Sequence, residues 1–306
     1  MKVLCGVDGS ANGFAALRFV ARLLNPATDQ IALYYTPPEL RAGLLESCGP
    51  EVLDRARRAL AEAIFNECRG RLPEALARNV HTIIGQQQPQ RGLLIAADEW
   101  QAGMIVVGAR GAGPISRLLL GSVSTTVAQS AKAPVLVVRA PEGDQPSSPL
   151  RVLVAYDGSD ASRHATDLLR QLTWPADAAG RVMTVCEPML VGQLPEWLEK
   201  QPREPEFEAM SQMWVREHEA ENRATHDELS AYSQTLPAAF HHDPLVVEGD
   251  PADEILKAID REGSDLIVMG ARGLGALERL FLGSTSQKVL SHAPCSVLLV
   301  RETEKP

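Results

Sequence analysis

The chain has 306 residues, of which 45% are hydrophobic and 23% charged, and its formal net charge is -9. That length suits two domains of ordinary size, and the composition is that of a globular chain rather than a disordered one. The acidic balance disfavours a nucleic-acid partner, which would need a basic stripe against the phosphates, and no run approaches the ~20 apolar residues of a membrane span.

In chain order, short apolar runs at Lys2–Val7, Ile31–Tyr35, Val80–Ile84, Met104–Val107 and Val135–Val138 predict five strands, and Arg151–Tyr156, Arg181–Cys186, Pro244–Val247, Leu266–Met269 and Val297–Val300 predict five more. Several are continuous Val, Ile and Leu, as strands covered on both faces require. Between them, Gly13–Leu24 and Pro251–Glu262 carry helical spacing. Alternating strands and helices predict a parallel sheet with right-handed crossovers, so the expected fold class is α/β, with two tandem doubly wound five-stranded domains of Rossmann-like or flavodoxin-like topology.

The chain repeats itself. VLCGVDGS at 3–10 returns as VLVAYDGS at 152–159, and the stretch 103–124 returns at 264–286 in a register that pairs Gly108 with Gly270. The register continues to Val138-Arg139 and Val300-Arg301. Ala140–Pro149, rich in Pro, Ser and acid, reads as a linker, dividing the chain into domains at 1–140 and 151–306 with 141–150 between them. The second copy is longer between its second and third strands, where Pro188–His242 is crowded with charge. A solvated helical excursion is the expectation there, with a lid or a partner surface as the alternative.

In an open parallel sheet, ligands bind beyond the carboxyl ends of the strands where strand order reverses. The loops there are Asp8-Gly9-Ser10 and Gly108-Ala109-Arg110-Gly111 in the first copy, and Asp157-Gly158-Ser159 and Gly270-Ala271-Arg272-Gly273 in the second. After nine intervening residues beyond the second glycine of the latter loop, each copy carries a Gly-Ser pair that opens a helix, Gly121-Ser122 and Gly283-Ser284. Glycine lets backbone approach a ligand, successive N–H groups form an anion nest, and a helix start adds its dipole. The pattern predicts a phosphate site in each half.

With G-x2-G-x9-G-S present twice, the chain resembles the ATP-binding subgroup of the universal stress protein family over nearly its whole length. The resemblance implies ATP or ADP as ligand, with Mg as a companion ion. It places Asp8 and Asp157 toward the ribose and adenine, Gly108 and Gly270 by the ribose, and the main chain of Tyr35 and Val185 on the adenine. It puts Gly111, Gly121, Ser122 and Val123 on the phosphates of one half, and Gly273, Gly283, Ser284 and Thr285 on those of the other. Tyr35 departs from the family's usual valine, and Pro114 stiffens the first long loop, so the second site is favoured if occupancy differs. The resemblance also implies pairing of the two halves through their last strands as an internal pseudo-dimer. A homodimer of whole chains and an unidentified protein partner stay open.

Several residues carry a plainer reading beside the functional one. Asp8 and Asp157 can cap the following helix as well as touch ligand. Arg110, Arg117, Arg272 and Arg279 recur and could reach phosphate, but a solvated position serves equally well. His218 and His226 miss the spacing of an HExxH zinc site, and His241-His242 should point to opposite faces of a strand, so no metal site is expected. Neither a Walker A motif nor a GxSxG elbow occurs. A nucleotide-binding regulator is therefore expected ahead of a slow ATPase or phosphoryl-transfer enzyme and ahead of a nucleotide-free scaffold. The cysteines at Cys5, Cys48, Cys68, Cys186 and Cys295 form no CxxC pair and are odd in number, which fits a reducing cytoplasm better than a disulfide framework.

Overall fold

The computed structural model describes residues 1–38, 49–111, 120–140, 149–186, 205–273 and 282–301, without the side chains of 205–212, 214 and 215. Among them run β1 (Lys2–Gly6), α1 (Ala11–Ala21), β2 (Gln30–Tyr35), α2 (Pro50–Arg69), a short α3 (Glu74–Ala77), β3 (Val80–Ile84), α4 (Pro89–Trp100), β4 (Met104–Gly108), α5 (Ser122–Ser130) and β5 (Val135–Val138). The second half follows with β6 (Arg151–Ala155), α6 (Asp160–Gln171), β7 (Ala179–Cys186), α7 (Pro205–Ser233), β8 (Leu245–Glu248), α8 (Pro251–Glu262), β9 (Leu266–Gly270), α9 (Ser284–His292) and β10 (Ser296–Val300).

The strands form one sheet in the order β3-β2-β1-β4-β5-β10-β9-β6-β7-β8. Each half is parallel, and the order 3-2-1-4-5 is that of the first five strands of a Rossmann sheet rather than of flavodoxin. Strand order reverses between β1 and β4, and again between β6 and β9. The seam is antiparallel: β5 and β10 pair through Leu136 with Leu298 and Val137 with Val297. Edges that would otherwise expose unpaired amides thereby cover each other.

Alternating strand side chains divide the core into two layers. Val3, Cys5 and Val7 face one layer with α1, α2, α6 and α7, where Phe65, Leu17 and Phe240 are fully buried. Leu4, Ile105 and Val107 face the other, with α4, α5, α8 and α9. Helix starts follow the capping residues: the Ser10 and Ser159 hydroxyls accept from the N–H of Gly13 and Ser162, and Asp250 accepts from Asp253.

The charged segment of the second half is not simply solvated. The C-terminal part of α7 buries Leu229 and Ser233, and the chain beyond it buries Leu236 and Phe240. Tyr232 stacks on Tyr156 with ring centroids 4.1 Å apart, and its hydroxyl meets that of Thr166 on α6. His241 and His242 lie beyond a 3-10 turn at Ala238–Phe240 rather than in a strand, and His241 Nε2 bonds the Leu236 carbonyl at 2.9 Å. Pro114, Arg117, Arg279, Cys48 and the segment 187–204 lie outside the described residues.

Candidate functional site

The site begins with the turns after β1 and β6. Gly9 and Gly158 sit at φ 76° and 74°, a left-handed conformation that glycine adopts without strain. This reversal points each aspartate back at its own turn. Asp8 Oδ1 accepts from the N–H of Ser10 at 3.0 Å and from its hydroxyl at 2.5 Å, and Asp157 Oδ1 accepts from Ser159 at 3.0 and 2.6 Å. The aspartates therefore do hold the turn, through one oxygen.

The other oxygen faces the loop after β4 or β9. A Cβ at Gly111 would lie 2.7 Å from Asp8 Oδ2, and one at Gly273 would lie 2.8 Å from Asp157 Oδ2. A Cβ at Gly108 would press at 3.0 Å on the Asn12 carbonyl group in the first turn of α1, and one at Gly270 would come 2.9 Å from Ala161 Cβ. Small residues are required at each end because the loop lies directly on the helix start and the aspartate.

The Gly-Ser pair joins the same place. The N–H of Gly121 donates to the Ala109 carbonyl at 2.8 Å, and that of Gly283 donates to Ala271 at 2.9 Å. Those two amides thus close the loop and are not aimed at a ligand, which modifies the expectation for Gly121 and Gly283. Ser122 and Ser284 stand exposed at the first helical position, with Val123 and Thr285 next. In an α-helix the first N–H groups have no intrahelical partner. Among the described residues, neither α5 nor α9 has a side-chain cap or an acidic residue in its first turn, so no group of that turn itself offsets the positive end of the dipole. Ser124 and Ser286, which sequence reading passed over, brace this start: their buried hydroxyls donate to the carbonyls of Ala109 and Gly270 at 2.9 Å. Their recurrence in both copies was the available signal.

Positive charge gathers behind the loops. Burial, and then the charge of Arg110, lowers the pKa of Arg139, and burial with Arg272 does the same for Arg301. Each loop arginine therefore stands near a second guanidinium at the following strand end.

The expected base-binding strand ends are not equivalent to each other. The N–H groups of Val7 and Tyr156 bond the carbonyls of Tyr34 and Met183, whereas the Tyr35 carbonyl accepts from Gly85 at 2.7 Å, on the β3 side. Main-chain groups of successive strand residues face opposite neighbours. Val185 shares the parity of Met183 and turns its main chain toward β6, and the matching residue of the first half is Thr36, not Tyr35. Tyr35 instead buries its phenol beside α2, and burial, with Asp8 adding to it, raises its pKa. The Thr36 hydroxyl donates to the Tyr34 phenol oxygen at 2.9 Å, and a side chain at Gly85 or Gly92 would overlap that phenol.

Two histidines of α7 pair with carboxylates. His218 meets Glu248 and lies 3.0 Å from Asn222 Nδ2, and His226 lies 3.1 Å from Asp243. Among the described residues no three His, Cys, Asp or Glu side chains cluster as a metal site, and no helix is long and apolar enough to cross a membrane.

A family profile described as the Universal stress protein family matches residues 1–139 and 150–301. A universal stress protein of Thermus aquaticus is 39% identical over 150 residues, covering 49% of this chain and 97% of its own. One of Mycolicibacterium smegmatis is 29% identical over 311 residues, covering 98% and 96%. The crystal structure of a universal stress protein from Archaeoglobus fulgidus matches with a TM-score of 0.63 at 21% identity over 98% of both chains, a likeness of fold.

Proposed function

Because the chain belongs to the universal stress protein family, we propose that each half binds one adenine nucleotide, ATP or ADP, and that occupancy regulates what the paired halves contact in a stress response. The observation that carries this reading is the convergence, in both copies, of an aspartate turn, a glycine-edged loop and an uncapped helix start on one spot. The donor set suits phosphate: the first-turn amides and hydroxyls of Ser122 and Ser284, the amides of Val123 and Thr285, and the loop amides of Gly111 and Gly273, while Gly108 and Gly270 let the loop lie close. Asp8 and Asp157 would meet the ribose and base, and the main chain of Thr36 and Val185 would receive the adenine edge. Mg would reach the site on the phosphates, since it is commonly held by one or two carboxylates plus substrate phosphate. The working units are residues 1–140 and 151–306, joined by 141–150.

A ligand that binds only the folded state raises its stability by mass action, about 2.7 kcal/mol at a hundredfold excess over Kd. Thermal shift and calorimetry with ATP, ADP, AMP and GTP test the proposal. A rise with ATP or ADP that GTP does not reproduce is expected. No response to any adenine nucleotide, in protein freed of copurified ligand, would remove the reading.

A further inference from the structure

The seam between the halves carries a reciprocal contact that joins the two candidate sites. Arg139, the residue after β5, sends Nη2 across the seam to the carbonyls of Leu290 and Ser291 at 3.1 and 3.4 Å, in the last turn of α9. Arg301, the residue after β10, sends Nη2 back to Ala128 and Gln129 at 2.8 and 2.6 Å, in the last turn of α5. These helices are the ones whose first turns form the phosphate sites. Their last carbonyls lack intrahelical partners and carry the negative end of the dipole, so a guanidinium there both satisfies them and fixes the helix lengthwise.

Each arginine is also tied to the loop of its own half. The N–H of Ala109, between Gly108 and Arg110, donates to the Val138 carbonyl at 2.7 Å, one residue before Arg139. Ala271 donates to Val300 at 2.7 Å, one residue before Arg301. A continuous path therefore runs from the first loop through Val138 and Arg139 to the far end of α9, whose near end is the second site. A mirror path runs through Val300 and Arg301 to α5. Both helices are short, so a shift at one end is a shift at the other.

We infer that Arg139 and Arg301 couple the two sites, so that an anion bound in one half changes the order and affinity of the phosphate helix in the other. This rests on the nucleotide reading above. The arginines are positioning residues: they act through the helices and need not touch ligand. Coupling of this kind is reciprocal and commonly amounts to a 5- to 150-fold change in affinity.

The test uses the full chain with the second site blocked by Ser284→Asp, so that ATP enters only the first. Amide hydrogen exchange is read at Gly121 and Thr125 in the first half, and at Gly283 and Gln287 in the blocked half. ATP is expected to slow exchange in both halves, by about fivefold or more at Gly283 and Gln287. Adding Arg139→Gln with Arg301→Gln is expected to abolish the remote effect and leave protection at Gly121 and Thr125. If the paired substitution unfolds the chain, Arg139→Gln alone carries the same readout. Protection confined to the first half, or remote protection that survives loss of the arginines, would overturn the coupling while leaving nucleotide binding intact. No ATP effect anywhere would remove the nucleotide reading and the coupling with it.

Discussion

Ser284→Asp separates anion binding from folding, because the two should respond in opposite directions. Ser284 is exposed at the first position of α9, Gly283 supplies no side-chain cap, and the first turn holds no acidic residue. A carboxylate there meets the positive end of the dipole and should stabilise the helix by ~0.3–1 kcal/mol. For a unit of this size that raises the melting midpoint by roughly 1–3 °C. The same carboxylate faces any bound phosphate. Two like charges at ~4 Å with an effective dielectric near 20 repel by ~4 kcal/mol, or roughly a thousandfold in affinity before salt screening. Calorimetry should then count one ATP per chain in place of two, while scanning calorimetry without nucleotide shows an unchanged or higher midpoint. Undiminished binding of two nucleotides would refute the anion seat, and a fall of several degrees would refute the open first turn.

Further outcomes follow from particular groups. Asp250→Ala removes the α8 cap and should cost ~0.5–2 kcal/mol in urea unfolding. Its carboxyl is held below the ordinary range, first by the Asp253 N–H and also by Lys288, so the cap's contribution is present above the unfolded pKa and fades as pH falls through the lower folded value. A variant that loses the same stability at all pH values would contradict this. Burial pushes the thiols of Cys68 and Cys295 up to about 11 and about 12, and Cys5 higher still, so folded protein carrying Cys48→Ser and Cys186→Ser should resist thiol reagents at pH 8 until unfolded. Rapid native labelling would show the core to be open. Phe65→Ala, at a fully buried ring, should cost ~3–5 kcal/mol by the same denaturant assay, and a loss below ~1 kcal/mol would contradict its packing.

The strands were legible because runs such as Val135–Val138 and Leu266–Met269 are apolar on both faces, a pattern only a covered sheet tolerates. The loops were legible because glycine at Gly111 and Gly273 answers a steric demand that spacing alone reveals. Other features depend on hydrogen-bond direction, which residue type does not encode. Tyr35 ends its strand as an adenine-binding residue would, yet its carbonyl accepts from Gly85 on the β3 side. Gly121 looks like an anion donor in sequence, but its N–H closes the loop on Ala109. The burial of Leu229 and Ser233 on α7 was hidden by the charges around them, since a helix can be acidic on most of its surface and still cover a sheet with one stripe. Arg139 and Arg301 were visible as a repeat, but their partners lie across a seam that only tertiary structure defines.

Native mass spectrometry of the desalted chain titrated with ATP addresses the main assertion most directly. Two nucleotide adducts per chain are predicted, one remaining after Ser122→Asp or Ser284→Asp and none after both. Absence of any adduct, or two adducts persisting in the doubly substituted chain, would contradict binding at the paired helix starts.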